Sequence, residues 1–220
     1  MHITIKNLLK INDKVKEKIS SNNNLIKLPN IIAVSKTFKL EHIMPLINYG
    51  HLHFGENKVQ EAVEKWTNIK KDNKNIKLHL IGRLQTNKVK IAVKLFDYIH
   101  SLDSKKLADK ISFQQKEQDI KRKIFIQVNI GNEDQKSGVN EVNLFDFYNY
   151  CLDLKLNIVG LMCIPPASED ANISFEKMKN LKNKLNVREL SMGMSSDYLD
   201  ALVYDASYIR VGSRIFGERS

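Results

Sequence analysis

The 220-residue chain has few of the residues that mark disulfide-stabilised, zinc-binding or membrane-spanning proteins. Its only cysteines are Cys151 and Cys163, which exclude a framework of several disulfides and a CxxC metal pair. No run of residues is long and apolar enough to span a membrane, and the first residues lack the apolar core of a signal peptide. We therefore expect a cytoplasmic protein with no bound metal and no membrane association.

The basic residues are numerous, but they are not arranged as in a nucleic-acid-binding protein. The net charge of +10 favours such a function at first sight. The basic residues are mostly lysines, however, scattered among many asparagines and isoleucines, which is typical of an A/T-rich coding bias. No basic stretch is interleaved with aromatic residues, as in single-strand binders. We therefore expect no nucleic-acid partner; a nucleic-acid-binding module would show binding that falls steeply with salt.

Short apolar runs alternate regularly with segments of helical periodicity along the whole chain. Such alternation predicts a parallel sheet, and eight strand–helix units close naturally into a (β/α)8 barrel of the TIM type. The alternative is a doubly wound open sheet, but no GxGxxG follows the first strand. We expect one domain over residues 1–220. The predicted strands are residues 30–35, 51–54, 76–81, 98–100, 124–129 and 158–162, with two more in the stretches 189–197 and 208–217.

The last two strand–helix units predict a site for an anion. In each, a short apolar strand runs into small residues and then into a helix start, so that Ser195, Gly212 and Ser213 lie near two adjacent turns. Small residues let backbone N–H groups approach a phosphate closely, and helix N-termini supply further donors. Barrel enzymes often bind phosphate after strands 7 and 8. The alternative is two ordinary turns in which serine caps a helix, and this stretch alone does not decide.

Lys36 directly follows the first predicted strand, so its side chain would extend over the barrel mouth. A partly desolvated lysine there has a lowered pKa and can form a Schiff base with an aldehyde. The alternative is a lysine whose amine simply reaches water at the rim. One ligand carries both an aldehyde and a phosphate, namely pyridoxal 5′-phosphate (PLP).

Two other groups of polar residues bear on this hypothesis. Arg210 is expected near the end of the eighth strand, where a guanidinium facing a pyridine nitrogen would keep that nitrogen unprotonated; pairing with a strand carboxylate is the alternative. His51, His53 and His79 have no metal-ligand spacing with the cysteines, so we interpret them as buried, hydrogen-bonded structural residues.

Several motifs together resemble one known family. The chain is similar, from about Ile31 to Arg219, to the pyridoxal phosphate homeostasis proteins (the YggS/PROSC group), relatives of the alanine racemase N-terminal barrel. The matching motifs are Ala33–Thr37, Phe54–Glu61, His79–Lys88, Val128–Ile130, Lys136–Gly138, Gly160–Met162, Leu190–Ser195, Ile209–Gly212 and Ile215–Gly217.

The resemblance implies a fold type III PLP-binding barrel with a defined set of ligand contacts. Lys36 would hold PLP as a Schiff base, Asn57 and Met192 would line the cofactor, and Arg210 would face the pyridine nitrogen. Ser195, Gly212 and Ser213 would bind the phosphate. Family members are regarded as carriers or buffers in intracellular PLP homeostasis without an established catalytic activity, so no catalytic residue is assigned. Partners would be PLP itself and PLP-dependent apo-enzymes.

The chain differs from the usual family pattern in a few segments, and two of its lysines suggest a second site. The family often has proline shortly after the lysine, where this chain has Phe38-Lys39, and Gly-Ser-Thr where it has Asp205–Ser207. Ser213 stands where threonine is common and keeps the hydroxyl that phosphate binding requires. Lys88 and Lys136 lie in matching motifs and are candidates for a second, transient PLP site.

The rival hypothesis is a PLP-dependent enzyme such as an amino-acid racemase. Racemisation needs a proton donor on each face of the cofactor, and Lys36 could serve only one. The racemases that this barrel resembles take the other base, a tyrosine, from a second domain and a partner subunit. The chain ends at Ser220, just after the eighth unit, so we expect no such domain, a site open to water on one side, and a monomer.

Overall fold

Eight parallel strands close into a barrel in the computed structural model, which describes residues 1–22, 27–133 and 135–218. The strands pair in chain order, and β8 closes the barrel against β1, where Ile32 lies opposite Arg210. The predicted TIM-type barrel is confirmed, and the open sheet is excluded. The strands are β1 (Asn30–Val34), β2 (His53–Glu56), β3 (Lys77–Leu80), β4 (Tyr98–Leu102), β5 (Lys123–Gln127), β6 (Ile158–Met162), β7 (Glu189–Met194) and β8 (Tyr208–Val211).

A helix follows every strand, and one further helix precedes the barrel. These are α1 (Ile3–Ser20), α2 (Leu40–Asn48), α3 (Val59–Asp72), α4 (Val89–Leu95), α5 (Lys105–Glu117), α6 (Glu141–Asp153), α7 (Ala171–Leu185), α8 (Tyr198–Val203) and α9 (Ser213–Phe216). A 3-10 turn, Thr86–Lys88, leads into α4. Among the helices of the described ranges, none combines the length and the apolar character needed to cross a membrane.

The main core lies between the outer face of the barrel and the ring of helices. In α3 the inward residues Val59, Ala62 and Trp66 are buried, as their helical spacing predicts. Helix α1 buries Ile11 and Val15 in the same manner and packs beside α2, α8 and α9. These helices therefore cover the outer face of the barrel with their apolar sides.

A second, smaller cluster fills the inside of the barrel. Its apolar members are Ile32, Val34, Tyr98, Phe125, Met162 and Tyr208. Two histidines stack within it: His79 lies on Tyr98 and His100 on Phe125, with ring centroids 4.2 and 4.3 Å apart. The interior is therefore packed with side chains, as in other barrels of this size, and polar rings are part of that packing.

Two of the differences between the observed and the predicted strand boundaries involve glycines. The second strand was predicted over residues 51–54, but β2 begins at His53 and continues through Gly55 to Glu56. A Cβ at position 55 would lie 2.7 Å from Ile32 Cγ2, so the glycine allows close packing of β1 and β2 and does not end the strand. Ser191 and Gly193 lie inside β7, because a register shift and a positive φ of 86° at Gly193 carry the strand to Met194.

Candidate functional site

The candidate site is a cavity at the carboxyl ends of β1, β7 and β8. Its volume of about 530 Å³ falls within the range of small-molecule sites. We call it the Lys36 cavity. Five residues singled out from the sequence besides Lys36 lie in its wall, so the structure brings these six residues together at the barrel mouth. The lining residues are Val34, Lys36, Phe38, Asn57, Ile81, Ile164, Met194, Ser195, Ser196, Arg210, Gly212, Ser213, Gly217 and Glu218.

The loop that carries Lys36 is held from below by hydrogen bonds of its backbone and of Ser35. Ser35 is buried; its N–H donates to the Gly55 carbonyl at 2.9 Å, and its Oγ donates to Glu56 Oε1 at 2.8 Å. Lys65, from α3, donates its Nζ to the carbonyls of Ser35 and Phe38 at 2.8 and 3.2 Å. These bonds fix both ends of the segment from which the Lys36 side chain emerges.

Glu56 and Glu61 complete what we call the Lys65 network (Glu56, Glu61 and Lys65). Lys65 Nζ lies 2.8 Å from Glu56 Oε1 and 2.8 Å from Glu61 Oε1, and Glu61 also accepts the N–H of Thr37. Glu56 is fully buried, and its Oε1 additionally accepts Trp66 Nε1–H at 3.0 Å. Burial raises the pKa of Glu56, while the neighbouring ammonium of Lys65 opposes that rise. Sequence reasoning assigned no role to this network.

Arg210 reaches the cavity from inside the barrel with its guanidinium buried. Nη1 donates to the carbonyl and Oγ of Ser191 at 2.6 and 2.9 Å, and Nη2 donates to the Cys163 carbonyl at 2.8 Å. Burial lowers the pKa of Arg210 from its ordinary value. Its hydrogen-bond partners among the described residues are carbonyl and hydroxyl oxygens. The alternative, in which Arg210 pairs with a carboxylate on a strand, does not match these contacts. The cation is held in place by neutral groups.

A chain of hydrogen bonds links Arg210 to three histidines across the barrel. Ser191 Oγ lies 2.9 Å from His100 Nδ1, and His100 Nε2 lies 2.9 Å from His79 Nδ1. His79 Nε2 in turn lies 2.9 Å from His53 Nδ1. Burial lowers the pKa of both His79 and His100 well below the ordinary value, so both rings are neutral near pH 7.

His51, His53 and His79 are hydrogen-bonded as expected, and His79 is fully buried whereas His51 and His53 are half-buried. Local sequence patterns did not reveal the whole chain of bonds. His51 is also hydrogen-bonded, with Nε2 2.9 Å from the His53 carbonyl, and burial lowers the pKa of His51 and His53 to about 4. His100 and Ser191 were missed. In the described part of the chain, no group of three or more His, Cys, Asp or Glu side chains is placed to hold a metal ion.

The two turns after β7 and β8 meet, as the sequence predicted. The N–H of Gly212 donates to Ser195 Oγ at 3.3 Å, and Arg214 Nε donates to the Ser195 carbonyl. The N-cap residues of α8 and α9 are Asp197 and Gly212, and neither makes a side-chain capping bond. The alternative in which serines cap these helices is therefore excluded, and Ser195 and Ser213 both line the cavity.

Three of the residues named from the sequence lie elsewhere. Met192 is fully buried in the core between barrel and helices and is not among the described lining residues; Met194 lines the cavity instead, because the shift in β7 separates the two side chains. Lys88 lines a neighbouring cleft, and Lys136 forms an ion pair with Glu133. A pattern of strand alternation alone could not have located the shift.

Comparisons with known proteins point to one family. The family model described as the alanine racemase N-terminal domain matches residues 12–220. A relative named pyridoxal phosphate homeostasis protein, from Aquifex aeolicus (strain VF5), is 38% identical over 216 residues, which cover 94% of this chain and 92% of that protein.

Solved structures of other proteins share the fold of this chain. The structure of PipY from Synechococcus elongatus PCC7942 with PLP bound is 33% identical, with a TM-score of 0.79 over 92% of this chain and 100% of that one. An alanine racemase from Clostridium difficile 630 is 15% identical, with a TM-score of 0.68 over 94% of this chain and 57% of that one. The second likeness is one of fold alone.

Proposed function

The chain belongs to the family of pyridoxal phosphate homeostasis proteins, within the alanine racemase N-terminal domain family, and from that premise we propose that it binds PLP and buffers or delivers it inside the cell. The observation that carries the proposal is the Lys36 cavity, which brings a primary amine, serine hydroxyls and a buried guanidinium into one space of about 530 Å³. PLP was found in the related PipY structure.

The donor set of this cavity fits the three functional groups of PLP. An aldehyde requires a primary amine, which Lys36 supplies. A phosphate requires several hydrogen-bond donors, which the hydroxyls of Ser195 and Ser213 and the N–H of Gly212 supply. A pyridine nitrogen requires a donor or a proton, and Arg210 supplies the donor without giving up its own proton.

Different residues of the chain would then contact different groups of PLP. Lys36 would hold the aldehyde carbon, and its loop is kept in position by the Lys65 network. Ser195, Gly212 and Ser213 would hold the phosphate where β7 and β8 end. Arg210 would keep the pyridine nitrogen free of a proton, and Asn57 and Met194 would line the ring. When bound, PLP supplies an electrophilic carbon and an electron sink, and the sink is weak while its ring nitrogen is unprotonated.

We propose a binding protein and not a racemase. Besides Lys36, the ionisable side chains of the described lining residues are Arg210 and Glu218. A guanidinium does not release its proton, and Glu218 is exposed, so a well-placed second base is not evident in this wall. We further propose that residues 1–220 form one domain, that the protein acts as a monomer in the cytoplasm, and that apo-enzymes receive its PLP.

The proposal is tested by titrating the purified protein with PLP while recording its absorbance spectrum. The sample is then reduced with borohydride and the adduct is mapped by mass spectrometry. We expect one equivalent of PLP on Lys36, and none in Lys36→Ala, whose circular dichroism should match that of the wild type. Lys39→Ala removes a nearby exposed lysine outside the cavity and is the matched control. An adduct that persists in Lys36→Ala, or that spreads over surface lysines, would overturn the assignment.

A further inference from the structure

A second cleft lies beside the Lys36 cavity, between the loop after β2 and the loop after β3. Its volume is about 450 Å³, and its lining residues are Asn57, Lys58, Val59, Gln60, Gly82, Arg83, Gln85 and Lys88. We call it the basic cleft. Asn57 belongs to both walls, so the two spaces are neighbours on the same side of the barrel. A molecule seated in one would reach toward the other.

Among its described lining residues, the basic cleft has positively charged side chains and no carboxylate. Lys58, Arg83 and Lys88 contribute three cations, and no aspartate or glutamate occurs among its described lining residues. The remaining polar members are neutral amides, from Asn57, Gln60 and Gln85. Amides and cations together are suited to bind the oxygens of a carboxylate or a phosphate.

Two carboxylates that lie outside the cleft lining, those of Glu61 and Asp103, interact electrostatically with its cations. Glu61 acts electrostatically on Lys58, but it accepts Lys65 Nζ and the N–H of Thr37 in the Lys65 network. Asp103 acts electrostatically on Arg83 from outside the cleft, and burial raises the pKa of Asp103. The cleft therefore keeps an excess of positive charge.

The cleft depends on the close approach of two backbone segments, at Asn57 and at Gly82. A Cβ at Gly82 would lie 2.4 Å from the Asn57 carbonyl oxygen, so only glycine lets the two loops approach so closely. Asn57 is thereby held at the boundary between the two spaces. The 14-residue helix α3 also begins here, at Val59, and its N-cap residue Lys58 makes no side-chain capping bond. Its first N–H groups add donors to those of the side chains.

We propose that the basic cleft binds the anionic group, a carboxylate or a phosphate, of a small molecule that approaches the Lys36 cavity across Asn57. The inference rests on the proposed function, because PLP in the first cavity is what such a molecule would meet. A free amino acid would bring a carboxylate, and a second phosphorylated compound would bring a phosphate. The chemistry of recognition is the same for both, and the probes below separate them.

The test uses protein whose Lys36 has been loaded with PLP and reduced with borohydride, so that the first cavity is filled and its amine blocked. Inorganic phosphate and glycine are titrated separately at constant ionic strength, by calorimetry and by amide NMR shifts. We expect shifts at residues 57–60 and 82–88 with one probe or both. Arg83→Gln combined with Lys88→Gln should weaken that binding at least tenfold. Binding of glycine alone would assign the cleft to carboxylates, and binding of phosphate alone would assign it to phosphates.

The control removes the same charge from the same region. Lys90→Gln combined with Lys94→Gln alters two exposed lysines of α4 that do not line the cleft, and binding should stay within twofold of the wild type. Equal loss in both double variants, no loss in either, or shifts confined to other residues would overturn the proposal. Wild-type shifts locate the site even if a variant fails to fold.

Failure of PLP to load would count against the proposed function and not against the cleft. The unloaded protein with Ser195→Ala and Ser213→Ala is then titrated in the same way. Shifts at residues 57–60 and 82–88 would support the basic cleft independently, and their absence would overturn it.

Discussion

Ser191 Oγ lies 2.9 Å from Arg210 Nη1 and joins the guanidinium that faces the Lys36 cavity to the histidines inside the barrel. The hydroxyl accepts from the cation and is also hydrogen-bonded to His100. Because Arg210 is buried, its orientation depends on such fixed neutral partners and not on water. The position of a charge at the candidate site is therefore set by residues far from it in the chain.

Removing the Ser191 hydroxyl should lower the free energy of unfolding. Ser191→Ala leaves His100 Nδ1 without its partner and deprives Arg210 of one acceptor, so we expect a loss of about 1–3 kcal/mol in the free energy of unfolding. Urea denaturation measures it. Ser101→Ala is the control, since Ser101 Oγ is buried with no hydrogen-bond partner among the described residues, and its removal should be near neutral. Equal losses would show that the Ser191 contacts contribute nothing specific.

Acid should destabilise the protein through its buried histidines. Burial depresses the folded-state pKa of His79 and His100 far below the unfolded value of 6.5, so below pH 6.5 the unfolded chain binds more protons than the folded one. Their stabilising contribution is complete above pH 6.5 and is lost as the pH falls. The free energy of unfolding should drop with a slope approaching about 1.4 kcal/mol per pH unit for each histidine.

Glu56 should act in the opposite direction above its unfolded-state pKa of 4.5. Its folded-state pKa is raised above 4.5, so its contribution is present at low pH and is lost as the pH rises through the folded value. Urea denaturation between pH 7.5 and 4.5 should therefore show a steeper acid loss in Glu56→Gln than in the wild type. A free energy of unfolding that stays flat over this range in both proteins would contradict neutral buried histidines.

The fold could be predicted from local patterns, whereas part of the site could not. Alternation of apolar runs and helical periodicity is a local signal, and it identified eight strands in the correct order. Lys36 and Arg210 were located correctly because each adjoins or lies within a clear strand. Met192 was placed at the ligand, but the structure puts Met194 in the wall, because the register shift in β7 depends on packing around Gly193.

The supporting contacts depend on distant pairs that no local pattern contains. Ser191 and His100 are 91 residues apart, and Lys65 reaches the Ser35 carbonyl over 30 residues. Neither pair is marked by a periodic or compositional pattern in the sequence. A histidine in a strand predicts only a buried polar ring, and a lysine in a helix predicts a solvated charge. The partners become evident only after the barrel has closed.

Lys65 should position Lys36 without touching PLP. Lys65→Met removes the bonds to the carbonyls of Ser35 and Phe38 and leaves Glu56 buried without its cation, so we expect a loss of about 3–5 kcal/mol in stability. The affinity for PLP should also fall, because the loop that carries Lys36 is no longer held. Unfolding curves and PLP titrations measure the two effects.

A double substitution separates the effect of Lys65 on the position of Lys36 from its effect on the stability of the protein. Combining Lys65→Met with Glu56→Gln removes the unpaired charge and should recover part of the stability, while PLP affinity stays low because the carbonyl contacts remain absent. Lys71→Met, on the exposed side of α3, is the control and should change neither quantity. Recovery of PLP affinity together with stability would show that Lys65 acts only through the fold.

The two serines of the candidate phosphate site should discriminate between PLP and pyridoxal, which lacks the phosphate. Ser195→Ala combined with Ser213→Ala removes two hydroxyl donors at the meeting point of the β7 and β8 turns. At about 1.5 kcal/mol for each hydrogen bond to a charged group, PLP affinity should fall about 100-fold. Pyridoxal affinity, read from the same absorbance titration, should change by less than threefold, since Lys36 and Arg210 are untouched. Equal losses for both ligands would place the phosphate elsewhere in the barrel mouth, away from the turn that Gly212 and Ser195 share.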